Sequence, residues 1–88
     1  MLEKTLTISN KLGLHARAAT KLVKHAARYA SEIKINTKGK SVNAKSIMGV
    51  MLLAASKGTE VIIQVNGKDE IEAMADIDAL ISDKFGEE

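Results

Sequence analysis

Hydrophobic and polar positions change their period several times along this chain. Over residues 2–9 they alternate. Leu2, Leu6 and Ile8 share one side with Lys4, and Glu3, Thr5, Thr7 and Ser9 take the other. A period of two predicts a strand with one buried face. Residues 10–13 read as a loop ending in Gly13. From Ala16 to about Tyr29 the period lengthens, with Ala19, Leu22, Val23, Ala26 and Ala30 at helical spacing. Arg17, Lys21, Lys24 and Arg28 stand opposite, within roughly 60° of one another at about 100° per residue. The helix therefore has an apolar face and a basic stripe. Residues 31–37 alternate again, with Ile33 and Ile35 inward, and a turn at 37–40 leads to a short strand over Lys40–Asn43 with Val42 inward.

Residues 46–55 form a short apolar helical segment with Ser46 in the N-cap position. Val50, Leu53 and Ala54 share one side of it; Ile47, Met48 and Met51 share another. Val61, Ile63 and Val65 define a strand over 60–65, and residues 66–68 turn the chain. Asp69 then stands at an N-cap, with Glu72 three residues on completing a capping-box pattern. Ile71, Met74, Ile77 and Ile81 are the expected buried stripe of a last helix, flanked by Leu80 and ended by Gly86. The order is βαββαβα, and each strand is apolar on one face. That predicts an α+β fold: a two-layer open-faced β-sandwich, with a four-stranded, mostly antiparallel sheet and three helices on one face. At 88 residues it is expected to be one domain, residues 1–88.

Composition narrows the function. There is no cysteine, so no disulfide framework and no thiolate metal site, in keeping with a cytoplasmic protein. A net charge of +2 with one Tyr and one Phe offers no stacking platform for bases, which argues against nucleic acid. The first residues show no signal-peptide pattern. The longest apolar stretch, near residues 47–55, is too short to span a bilayer, so no membrane insertion is expected. Gly39-Lys40-Ser41 looks like the end of a phosphate-binding loop, but the glycine needed five residues earlier is Lys34, so that match is rejected. No cofactor and no metal site is expected. A His15/His25 pair lacks further ligands at metal spacing.

The candidate chemistry lies in Gly13-Leu14-His15-Ala16-Arg17. His15 stands where a helix begins. The first-turn N–H groups there lack intrahelical partners and carry partial positive charge, so an anion would meet them together with the Arg17 guanidinium. A phosphoryl group carried by the imidazole would make His15 a nucleophile. The blander alternative is an ordinary capping or surface histidine. Glu3 and Glu32 are the carboxylates considered for approach to His15 in space. His25, mid-helix, reads as an ordinary side chain. Ser46 is explained as an N-cap alone; the sharper alternative is a phosphorylation site. The Ile47–Met48–Met51 face is either core or an exposed docking surface. The basic stripe is either a solvated face or a surface for an acidic partner.

Three stretches, 10–17 (Asn-Lys-Leu-Gly-Leu-His-Ala-Arg), 45–50 (Lys-Ser-Ile-Met-Gly-Val) and 57–59 (Lys-Gly-Thr), together resemble the HPr phosphocarriers of the bacterial phosphoenolpyruvate-dependent sugar phosphotransferase system. The resemblance covers essentially the whole chain. It implies a cytoplasmic, monomeric carrier whose His15 accepts a phosphoryl group from phosphorylated enzyme I. The group then passes to IIA components of sugar permeases, with Arg17 stabilising it. It further implies that Ser46 is a regulatory site, phosphorylated in lineages that have HPr kinase/phosphorylase. The implied docking positions are Lys21, Lys24, Ile47, Met48 and Met51. Ala18 departs from the family's usual proline, and Leu12 from a usually small or polar residue. The alternatives are a nitrogen-branch phosphocarrier and a regulatory domain that docks proteins without relaying phosphate.

Overall fold

Glycine-marked turns and the two hydrophobic periods lay down eight elements. The structure, a computed structural model, describes residues 1–87. The order is β1 (Leu2–Thr7), α1 (Ala16–Ala26), β2 (Glu32–Thr37), β3 (Lys40–Asn43), α2 (Ile47–Leu52), β4 (Glu60–Asn66), α3 (Glu70–Ser82) and a 3-10 turn at Lys84–Gly86. The strands form one antiparallel sheet in the order β1-β4-β2-β3. Leu6 lies opposite Val61, Ile35 opposite both Ile63 and Val42. One-sided alternation in β2 and β4 puts Ile33, Ile35, Val61, Ile63 and Val65 on a buried face. Ala18, Ala19, Leu22 and Ala26 of α1 and Ala73, Met74, Ile77 and Ile81 of α3 complete the core, which is the α+β sandwich expected from the pattern.

Several positions depart from expectation, each for a physical reason. As an edge strand, β1 leaves Leu2 and Leu6 only half-buried. Ile8, beyond its end, is fully buried and held by Ile8 N–H to Thr59 O and Gly58 N–H to Ile8 O. α1 stops at Ala26, where i,i+3 bonds (Arg28 N–H to His25 O, Tyr29 N–H to Ala26 O) tighten the chain into a turn and leave Ala30 exposed. α2 stops at Leu52; Ala54 turns into the left-handed region at φ 49° and is exposed, not packed with Val50.

Asp69 occupies the N-cap position of α3 but makes no side-chain cap, and Glu72 closes no capping box. The Asp69 carboxylate instead accepts from the N–H groups of Ala30 (2.8 Å) and Ser31 (2.9 Å) and from the Ser31 hydroxyl. Glu70 supplies the local bond, accepting from Gly67 N–H at 3.1 Å. Ile71 is exposed, and Ala73 takes its expected place in the core. α3 ends at Ser82, before Gly86. The chain then reverses through Lys84, Phe85 and Gly86, all at positive φ, so that the Phe85 ring reaches the core at 1% exposure. Burying a side chain of that size is worth about 2–3 kcal/mol, enough to hold the turn against α1 and α3.

Candidate phosphoryl-transfer site

The site begins at Gly13. Its φ is +65°, and a Cβ there would lie 2.4 Å from the Ala55 carbonyl oxygen. Only glycine allows that close approach. Leu14 follows, buried at 6% exposure, with its N–H donating to the same oxygen at 2.9 Å. The loop is thereby fastened to residue 55 just before His15. His15 is the N-cap residue of α1, with extended backbone (φ −72°, ψ 176°) and no side-chain cap. Its carbonyl accepts from Ala19 N–H at 2.8 Å. Its ring is therefore free to work outside the helix, beside first-turn N–H groups that the helix itself does not use.

The ring has a specific partner. Nε2 lies 2.5 Å from Oε2 of Glu87, at a quarter of full exposure for the imidazole. The other carboxylate oxygen of Glu87 accepts from Asn10 Nδ2 at 3.0 Å, and the same amide donates to Gly13 O at 2.7 Å. Asn10 is fully buried. Its hydrogen bond holds the Glu87 carboxyl below the usual range; burial pushes it up, and the His15 contact lowers it again. The carboxylates considered from the sequence lie elsewhere: Glu3 accepts from Gln64 Nε2 at 2.9 Å, and Glu32 faces Lys34 at 3.7 Å. Sequence reasoning missed Glu87, 72 residues from His15, because no local pattern joins the two.

Around His15 the chain forms an open hollow of about 720 Å³, lined by Lys11, Leu12, Arg17, Lys21, Gly86 and Glu87 among others. Arg17 is exposed on the first turn of α1 and borders the hollow with His15, as the motif required. Lys21 is committed differently: its Nζ donates to Phe85 O at 2.6 Å, which ties α1 to the turn that carries Glu87. Lys24 is exposed on the same helix. Ser46 is the N-cap of α2, its hydroxyl oxygen accepting from Gly49 N–H at 3.1 Å. Ile47, Met48 and Met51 are exposed, at 43%, 77% and 43%, and Leu52 and Leu12 at 69% each, so the Ile47–Met48–Met51 face of α2 is surface, while Val50 on its other side is core.

His25 lies in a separate cluster. Its Nδ1 is 2.7 Å from Asp76 Oδ1, while the Tyr29 hydroxyl donates to Asp76 Oδ2 at 2.6 Å. Burial pushes the Asp76 carboxyl up, but these bonds and the nearby Arg28 hold it below its ordinary value. The bond to Asp76 raises Tyr29 in turn. His25 thus joins α1 to α3.

An open hollow, a histidine at the N-cap of a helix and an adjacent arginine coincide with a whole-chain match to known proteins. Residues 2–83 match the family model described as the PTS HPr component phosphorylation site. The phosphocarrier protein HPr of Xylella fastidiosa (strain Temecula1) is 52% identical over 88 residues, which is 100% of this chain and 99% of that protein. The chain belongs to the HPr phosphocarrier family.

The HPr fold is matched in solved structures as well. HPr from Thermoanaerobacter tengcongensis superposes with a TM-score of 0.97 at 48% identity, covering 100% of this chain and 99% of the other. An HPr dimer from the same organism gives a TM-score of 0.80 at 47% identity, covering 99% and 100%. HPr chains are therefore found as dimers too, so family membership does not carry the expected monomer. Among the described residues, no helix is long and apolar enough to cross a membrane.

Proposed function

We propose that this HPr-family chain carries phosphoryl groups on His15. Phosphorylated enzyme I is the donor and IIA components of sugar permeases are the acceptors. A ring nitrogen lone pair of His15 attacks phosphorus, a P–N bond forms, and the bond to the donor breaks. In the second transfer the P–N bond breaks toward the acceptor nucleophile and the imidazole is restored. The chain needs no cleft for this, because each partner supplies the other half of the site and holds the groups in line.

The observation that carries this proposal is the placement of His15. It stands at the open N-terminus of α1, with its ring bordering the hollow that Arg17 and Lys21 also line. The helix end and the Arg17 guanidinium stabilise the three phosphoryl oxygens. Docking is assigned to Lys21, Lys24 and the exposed Ile47, Met48 and Met51, with Lys21 acting mainly through the Phe85 turn. Ser46 is the regulatory site, where phosphorylation places negative charge against an acidic donor surface. The same proposal includes a cytoplasmic, single-domain, monomeric chain.

The test is incubation with phosphoenolpyruvate, magnesium and purified enzyme I, followed by intact mass and phosphorus NMR. One acid-labile phosphate is expected, and none on His15→Ala, whose fold is unchanged because the residue contributes little core. Phosphate uptake by His15→Ala would sink the assignment. No uptake by the parent from an active donor would leave a regulatory docking domain.

A further inference from the structure

A carboxylate stands against Nε2 of the imidazole, with a buried amide holding it, and the carrier role as stated does not use them. We infer that Glu87 is a positioning residue for phosphoryl transfer, fixing which nitrogen of His15 carries the lone pair. This rests on His15 being the phosphoryl acceptor.

An ionised carboxylate only accepts hydrogen bonds. With Glu87 Oε2 at 2.5 Å from Nε2, the proton of the neutral ring sits on Nε2. The lone pair is then on Nδ1, and Nδ1 is the nucleophile. The negative charge behind Nε2 also compensates the positive charge that develops on the ring as Nδ1 bonds to phosphorus. That compensation makes attack easier without touching the phosphoryl group.

Glu87 can do this because it is itself held. Asn10 Nδ2 donates one hydrogen to Gly13 O and the other to Glu87 Oε1. Turning the Asn10 amide over would forfeit both bonds. Both of the side-chain hydrogen bonds that tie Asn10 to the site are made through Nδ2. The order runs from Gly13 O through Asn10 and Glu87 to Nε2–H. The glycine turn that positions the His15 backbone thus also orients its ring. From the other side, Phe85 in the core and Lys21 Nζ on Phe85 O anchor the turn that delivers Glu87.

Gln in place of Glu87 is the informative change. Asn10 Nδ2 still demands an acceptor, so the amide oxygen of Gln faces Asn10 and its NH2 faces His15. That NH2 requires a lone pair on Nε2, which moves the ring proton to Nδ1 and blocks attack there. Alanine removes the preference without reversing it.

The experiment compares the parent, E87Q and E87A, labelled with nitrogen-15 in histidine. Two-bond proton–nitrogen correlations report the neutral-ring tautomer of His15. Stopped transfer from phosphorylated enzyme I reports the acceptance rate. The expected result is an Nε2–H ring in the parent and a shift toward Nδ1–H in E87Q. Acceptance slows about tenfold or more in E87Q and by less in E87A. All three still finish with one phosphate on His15. An unchanged tautomer, or unchanged rates, in E87Q overturns the role of Glu87 while leaving the carrier role standing. A parent that takes no phosphate on His15 overturns the carrier role itself, and this inference with it.

Discussion

The Lys21 ammonium donates to the Phe85 carbonyl oxygen at 2.6 Å, across 64 residues of sequence. Lys21 and Lys24 look alike in the basic stripe, yet among the described residues Lys21 alone of the two is bonded to the turn after α3; Lys24 is exposed. Lys21→Ala should therefore cost about 1 kcal/mol in urea denaturation and speed amide exchange in residues 86–87. Lys24→Ala should stay within about 0.5 kcal/mol of the parent. It should instead slow association with the donor, and more so at low salt. Equal stability losses in the two variants would remove the distinction.

At Gly13 a methyl group meets the Ala55 carbonyl oxygen and Ser56 Cα, and the backbone is in the left-handed region as well. Gly13→Ala should lose about 1–3 kcal/mol of stability. Because Leu14 and Asn10 are both fastened to this turn, the acceptance rate should fall along with it. Gly39 has positive φ but open space around it. Gly39→Ala should cost less, about 1 kcal/mol, and leave acceptance unchanged.

Ser46 offers two substitutions with opposite signatures. Ser46→Ala removes the acceptor for Gly49 N–H and should cost about 1 kcal/mol, with acceptance near normal. Ser46→Asp keeps an acceptor, so stability should stay within about 0.5 kcal/mol of the parent. It should slow acceptance about tenfold by setting charge beside Ile47 and Met48. Paired denaturation and transfer-rate measurements check both, and a normal rate for Ser46→Asp counts against a charge block.

Asp69 predicts a response to acid. The Ser31 hydroxyl and the N–H of Ala30 hold its carboxyl below the ordinary value, outweighing burial. A carboxyl depressed in the folded state contributes stability above its unfolded pKa, about 3.9, and loses it as pH falls through the folded value. Asp69→Ala should therefore be less stable than the parent at neutral pH. The gap should narrow steadily below about pH 4 in urea titrations. Glu70, Asp76, Asp78 and Glu87 are depressed too, so the parent itself weakens in the same window.

Much of the fold could be read from periodicity, because β2, β4 and α1 bury strictly alternating or helically spaced residues. The His15–Arg17 motif was legible for a similar reason: glycine, histidine and helix start are neighbours in sequence. Where reading failed, side chains acted at a distance. Asp69 has the look of a cap, but its carboxylate serves the start of β2. Ile71 fits the helical spacing, yet α3 turns its smaller Ala73 to the sheet. Glu87 meets His15 only because Phe85 folds the chain back, and a left-handed phenylalanine has no sequence signature.

Strand β4 lies between β1 and β2, and among the described residues β1 pairs with no other strand. The first strand made therefore waits unpaired until residues 60–66 exist. The last turn, which brings Glu87 to His15, can close only after α3 has packed. Folding must pair β1 with β4 and close this turn before Glu87 can orient the His15 ring. Long-range closure of this kind slows the search for the native state. A growing chain therefore acquires the Glu87 contact, and with it the orientation of the His15 ring, among the last of its native features.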